Sequence, residues 1–179
     1  MNVGADEFRR VVGSFATGVT VVTTCDNGRH VGMTANSFTS VSLDPVLVLV
    51  AVDIRARFHA AVLEARSFAV NVLAADQQDI SRWFATRGRP EDHEHIDRWP
   101  HRVGAASGAA VFDGVLAVLE CTTYATYDGG DHTLLVGEVV AMEAPRPDAG
   151  PLLYFKGGYR TLAAGPEDPT PSLAEGVPE

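Results

Sequence analysis

Residues 46–52, Val-Leu-Val-Leu-Val-Ala-Val, are the longest aliphatic run in the chain and restrict its possible folds more than any other stretch. The run follows Asp44-Pro45, a breaker. Seven residues are far too few to span a bilayer, for which a helix needs about 20. A short β-branched run bounded by a breaker reads as a strand buried on both faces. Such a strand needs neighbours at its edges and cover above and below.

The rest of the chain supplies them. Residues 19–24 are β-branched throughout, Asp26-Asn27-Gly28 is a strong hairpin signal, and residues 29–33 return as the partner strand. Residues 115–127 and 133–142 form a second hairpin about Asp128-Gly129-Gly130-Asp131. Residues 67–73 are a further strand, and 152–162, with Tyr154, Phe155 and Tyr159, a final short strand or strand pair. Helical spacing occurs at 6–15, where Phe8, Val11, Val12 and Phe15 share a face and Asp6 is the expected N-cap. It recurs at 56–64 and at 76–86, with Ile80, Trp83 and Phe84 on one side. Residues 88–102 read as a charged loop, of a length often functional or mobile, and 145–151 as a linker. About six mostly antiparallel strands with helices between them describe a mainly β fold, a Greek-key β-barrel with peripheral helices. One domain is expected over residues 1–164, followed over 165–179 by a tail whose prolines and acids predict disorder.

The 46% of hydrophobic residues suffices for a sizeable core, and a net charge of −9 argues against nonspecific nucleic-acid binding. Cys25 and Cys121 stand far apart with no metal spacing and read as small, at least half-buried thiols. Asp6 and Glu7 interrupt the start and no apolar signal region follows, so a soluble, cytoplasmic protein without membrane partners is expected. Glycine-rich nucleotide fingerprints and the Gly-x-Ser-x-Gly elbow are missing from the sequence.

Four groups of residues carry possible chemistry. Residues 32–43 hold Thr34, Asn36, Ser37, Thr39, Ser40 and Ser42 without an acid or base. They suit a flat polar ligand rimmed with donors and acceptors, or are simply a polar turn entering a buried strand. Arg55, Arg57 and His59 follow the aliphatic strand where a helix begins, which suits either a phosphate site or ordinary surface arginines. His132 sits at a tight turn, either aimed at a ligand as hydrogen-bond partner or proton donor, or closing the hairpin with Asp131. His93 and His95 flank Glu94 in the charged loop, where a solvated surface is the simpler reading, and no metal is assigned.

Several pieces recur together in order: Phe15-Ala16-Thr17-Gly18-Val19-Thr20-Val21-Val22-Thr23, Gly32-Met33-Thr34-Ala35-Asn36-Ser37-Phe38, and Ser40-Val41-Ser42-Leu43-Asp44-Pro45. Further on come Ser67-Phe68-Ala69-Val70-Asn71-Val72-Leu73, Trp83-Phe84-Ala85, Gly130-Asp131-His132-Thr133, Val136-Gly137-Glu138-Val139 and Pro151-Leu152-Leu153-Tyr154-Phe155. Over roughly residues 8 to 162 the ordered set resembles flavin reductases of the FMN-binding split-barrel class, the small components of two-component flavin-dependent monooxygenases. The resemblance implies a split-barrel homodimer with FAD or FMN near the subunit interface, NADH or NADPH as co-substrate, and a separate monooxygenase that receives reduced flavin. Thr34, Ala35, Asn36, Ser37, Phe38 and Ser40 would contact the isoalloxazine ring and ribityl chain. Asp53, Arg55, Arg57, Phe58 and His59 would approach the phosphate region, Phe84 the flavin tail, and His132 with Tyr154 the nicotinamide. His132 is the candidate catalytic residue. In place of the small hydroxyls frequent in the family, positions 54–58 carry Ile54, Arg55, Ala56, Arg57 and Phe58, which leaves FAD and FMN both open. The implied chemistry passes a hydride from nicotinamide C4 to flavin N5, so the protein supplies orientation and electrostatics. A neutral cradle fits that task, because a carboxylate there would oppose the charge of the reduced ring. The alternative is a non-catalytic flavin carrier or sensor on the same barrel.

Overall fold

A computed structural model describes residues 3–162, so the tail expected at 165–179 lies outside the described residues. In chain order the elements are α1 (Ala5–Val12), β1 (Thr17–Gly18), β2 (Thr20–Asp26), β3 (Arg29–Ala35), β4 (Thr39–Leu43), β5 (Val46–Asp53), α2 (Arg57–Ala65), β6 (Ser67–Val72) and α3 (Gln78–Ala85). After α3 come β7 (His101–Val103), β8 (Ala110–Phe112), β9 (Ala117–Asp128), β10 (His132–Glu143), β11 (Leu153–Phe155) and β12 (Gly158–Arg160). Seven strands form one antiparallel sheet in the order β3-β2-β6-β9-β10-β5-β4. Its edge strands β3 and β4 are not paired to each other, and the chain bridges them through residues 36–38. The fold is therefore mainly β with peripheral helices, an open, split Greek-key arrangement.

Two cores explain the sequence pattern. The inner one joins Val22, Val48, Val50, Val52, Phe68, Val70 and Leu135 of the curled sheet to Phe58 and Val62 of α2. The outer one lies on the other face of β2 and β6, where Val19, Val21, Ala69 and Leu73 meet Ile80 and Phe84 of α3, Ile96, and Ala110 to Phe112 of β8. Adjacent Val21 and Val22 are each 0% exposed, which is why β2 is β-branched without alternation. Its buried hydroxyls donate to main-chain carbonyls: Thr20 to Ala35, Thr23 to Ala110 and Thr24 to Ser67, at 2.6–2.8 Å. Asn71 of β6 staples β8 to the sheet, accepting from Phe112 N at 2.9 Å.

Several expectations need correction. The run at 46–52 is not buried evenly on both faces: Val48, Val50 and Val52 face the inner core, with Val46 exposed at the strand's start, while on the opposite face Leu47 is buried and Leu49 and Ala51 are only half-buried. That opposite face lacks the second layer of helix and strand that covers β2 and β6 among the described residues. The first helix is capped by Gly4 rather than Asp6, ends at Val12, and leaves Phe8, Val11, Val12 and Phe15 exposed. Residues 88–102 are not a loose charged loop. They form 3-10 turns at Asp92–Glu94 and Ile96–Arg98, with Asp92 and Ile96 buried, and then β7. About six strands were legible as hydrophobic runs, whereas the described residues hold twelve, the extra ones mostly two or three residues long. The Asp26–Arg29 hairpin follows its sequence signal, with Asn27 and Gly28 at φ 50° and 79°.

Candidate functional site

The principal cavity, about 510 Å³, opens where β3 leaves the sheet, between the end of β5, the start of α2 and the turn after α3. One wall is polar but uncharged, formed by residues 32–37. Two hydroxyls there are already committed. Thr34 Oγ1 donates to Ser81 O of α3 at 2.7 Å, and Ser37 Oγ donates to Ala51 O at 3.1 Å while accepting from Ala51 N at 3.2 Å. Asn36 is exposed at the opening, so its amide is available to a ligand.

The opposite end is cationic, lined by Arg55, Arg57, Arg87 and Arg89. Asp53 balances part of that charge: Arg55 donates to it from its backbone N–H and its guanidinium at 2.9–3.1 Å, and Arg87 reaches it at 3.4 Å. The Arg55 guanidinium, then its backbone N–H, holds the Asp53 carboxyl well below the usual carboxylate range. Arg57 pairs with Glu91 at 3.0 Å and donates to the carbonyls of Arg89 and Pro90. Phe84, 2% exposed, supplies an apolar wall. His132 begins β10 directly opposite Asp53, and its Nδ1 lies 2.6 Å from Asp131 Oδ1. That hydrogen bond also lowers the Asp131 pKa.

Of the residues singled out in the sequence, Thr34, Ala35, Asn36, Ser37, Asp53, Arg55, Arg57, Phe58, Phe84 and His132 line this one cavity. Four others do not. Phe38 packs against the inner core, and Ser40 is exposed on β4 opposite Val48. His59 Nε2 meets Thr133 Oγ1 at 2.8 Å, and Tyr154 lies in β11 opposite Thr17, its ring 5.5 Å from that of Tyr159. Sequence reasoning missed Arg87, Arg89 and Asp92. They sit in a segment dense in charge, where an Arg-x-x-Asp spacing has nothing to distinguish it. His93 is exposed and His95 stands edge-on to Trp83; among the described residues no group of three or more His, Cys, Asp or Glu could hold a metal ion.

A neutral wall with open amide and peptide groups, continuing into an arginine-lined end, fits a planar heterocycle carrying a phosphorylated tail. A family model described as the flavin reductase like domain matches residues 12–163. The NADH-dependent FAD reductase of Streptomyces globisporus is 45% identical over 158 residues, 88% of this chain and 85% of that protein. The reductase component of a flavin-dependent trigonelline monooxygenase from Acinetobacter baylyi is 44% identical over 170 residues. These are 93% of this chain, which spans only 52% of that relative's length. Among solved structures, BorF, the flavin reductase component of a bacterial two-component tryptophan halogenase, superposes with a TM-score of 0.84 at 45% identity. The match covers 89% of this chain and 98% of that one.

Proposed function

This chain belongs to the flavin reductase-like family, and on that premise we propose that it is an NAD(P)H-dependent flavin reductase that reduces FAD or FMN and supplies the reduced flavin to a separate monooxygenase. The observation that carries the reading is the single cavity in which an uncharged polar wall meets an arginine-lined end, with His132 on its lining. When bound, the flavin ring supplies the hydride acceptor. The residues of the chain orient it. The amide of Asn36 is open to the ring edge, and the arginines at the far end attract the phosphate. Among the described residues Asp53 is the one carboxylate on the lining, and its charge is taken up by Arg55, so the cavity opposes neither an anionic tail nor a ring gaining negative charge. His132 is the group assigned to the nicotinamide.

The homodimer belongs to the same proposal. Phe8, Val11 and Phe15 at the N-terminal helix and Leu43 at the β4 edge, 58–90% exposed in the single chain, supply apolar surface for it. The enzyme is proposed to act in the cytoplasm; no described helix is long and apolar enough to cross a membrane.

The test is an anaerobic assay of the purified chain that crosses NADH and NADPH with FAD and FMN. Nicotinamide oxidation is expected only with free flavin, or far faster with it. Tight stoichiometric flavin binding without nicotinamide turnover would overturn the reductase in favour of a carrier or sensor.

A further inference from the structure

Among the described residues β3 is an edge strand, paired only with β2, and at Gly32 its peptide groups turn away from that partner. An unpaired strand edge needs other hydrogen-bond partners. Gly32 N donates to Asp92 Oδ2 at 3.0 Å, and Gly32 O accepts from Arg89 Nη2 at 2.7 Å. The two side chains are bound to each other by a forked pair, Arg89 Nε to Asp92 Oδ1 at 2.7 Å and Nη2 to Oδ2 at 3.0 Å. Both are sheltered, with side chains 10% and 1% exposed. The pair thus presents one acceptor and one donor to Gly32, as a neighbouring strand would.

It also reaches the other two walls of the cavity. Arg89 Nη1 donates to Thr86 O in the turn after α3 at 3.0 Å, and Arg57 at the start of α2 lies 3.7 Å from Asp92 Oδ1. In an antiparallel ladder the outward-facing peptides alternate, so after Gly32 the next on β3 belongs to Thr34, inside the cavity. We propose that Arg89 and Asp92 are positioning residues for the flavin, replacing the strand that β3 lacks and thereby fixing where the Thr34 peptide stands relative to the arginine-lined end. The inference rests on the flavin reductase reading of the cavity. Asp92 is not on the cavity lining and acts through Gly32 and Arg89; Arg89 also lines the arginine end, and Arg89→Lys keeps its positive charge there while removing the fork.

Asp92→Asn keeps an oxygen for Gly32 N–H and removes the charge that holds the Arg89 fork. Arg89→Lys keeps a charge beside Asp92 but cannot also span Gly32 O and Thr86 O. Charge-assisted hydrogen bonds of this kind predict flavin binding weakened about tenfold or more in Asp92→Asn and by a smaller factor in Arg89→Lys. Binding is read by quenching of flavin fluorescence on folded protein, with FAD and FMN and no nicotinamide present. The flavin KM is expected to rise in parallel, with kcat at saturating flavin within about twofold of wild type. Glu120→Gln is the control. Glu120 is another buried carboxylate, accepting from Ser107 and Ala106, but does not line the cavity, so it should lower Tm and leave flavin affinity unchanged. Wild-type flavin affinity in folded Arg89→Lys and Asp92→Asn would overturn the positioning role while leaving the reductase reading intact. If Asp92→Asn does not fold, Arg89→Lys decides alone. Wild-type protein that binds neither flavin would overturn both.

Discussion

Gly32→Ala probes how closely the cavity wall is set. A Cβ at Gly32 would stand 2.6 Å and 2.7 Å from Cε1 and Cδ1 of Phe84. Neither side can give way easily. The Phe84 ring is 2% exposed, packed 5.6 Å from both Trp99 and Phe112 between ring centres, with the Arg89 guanidinium 5.3 Å above it. The backbone at Gly32 is held through its N–H by Asp92 and through its carbonyl by Arg89. Overpacking of this kind costs about 1–3 kcal/mol, and for a chain of this size each kcal/mol lowers Tm by about 2–4 °C. A Tm drop of roughly 2–12 °C follows. Because Phe84 also lines the cavity, a displaced ring should weaken flavin binding in the protein that remains folded. The assay is thermal unfolding by circular dichroism on wild type, Gly32→Ala, Phe84→Leu and the double variant. If the clash is the cause, the alanine costs less once the ring is gone, and the cycle shows coupling. A wild-type Tm in Gly32→Ala, or the same penalty in the Phe84→Leu background, would refute the packing argument.

Three further expectations concern the site and the core. Asn36→Asp places a carboxylate at the exposed cradle, where a charge pair in water-like surroundings is worth about 1 kcal/mol; affinity for reduced flavin should fall roughly fivefold more than for oxidised flavin. Equal losses in anaerobic and aerobic titrations would count against an anionic ring beside Asn36. His132→Ala should raise the KM for NADH by about tenfold or slow hydride transfer, with flavin binding within about twofold of wild type; normal NADH kinetics would remove His132 from the nicotinamide site. Burial pushes the Cys121 thiol from its ordinary value of 9.0 up to about 12. Below about pH 9 the folded and unfolded chains both keep this proton, so stability is unaffected; between there and pH 12 only the unfolded chain releases it, and stability falls by up to about 1.4 kcal/mol per pH unit. Urea unfolding of wild type and Cys121→Ala from about pH 8 to pH 11 should show their difference narrowing as pH rises, whereas a constant difference would refute the assignment.

The sequence carried the hairpins and the neutral wall because both are local. Asn27-Gly28 forces its turn wherever it stands, and residues 32–37 lie together on one strand and its exit. The arginine-lined end was half visible, since Arg55 and Arg57 adjoin the aliphatic strand, while Arg87 and Arg89 reach the cavity only through the packing of α3. Asp92 could not be read. A carboxylate among Glu91, Glu94 and Asp97 looks like solvated surface until the chain folds it against the free edge of β3. The two-sided burial expected of residues 46–52 belongs instead to β2 and β6, because hydropathy reports apolar character and not which strand a second layer covers.

The short hydroxyls of the cradle do two tasks, and this bears on how firmly a flavin is held. Thr34 ties β3 to α3, and Ser37 ties the strand exit to β5, so their donor capacity goes to the fold. What remains for a flavin ring is peptide groups and the Asn36 amide, with charge-assisted contacts confined to the arginine end. Neutral hydrogen bonds contribute about 1 kcal/mol each, and contacts to charged groups about twice that. The arginine end is then expected to hold the tail more firmly than the cradle holds the ring. Because reduction leaves the tail unchanged, any difference in grip between oxidised and reduced flavin has to come from the ring, where a neutral cradle offers the reduced, anionic ring no charge-assisted contact.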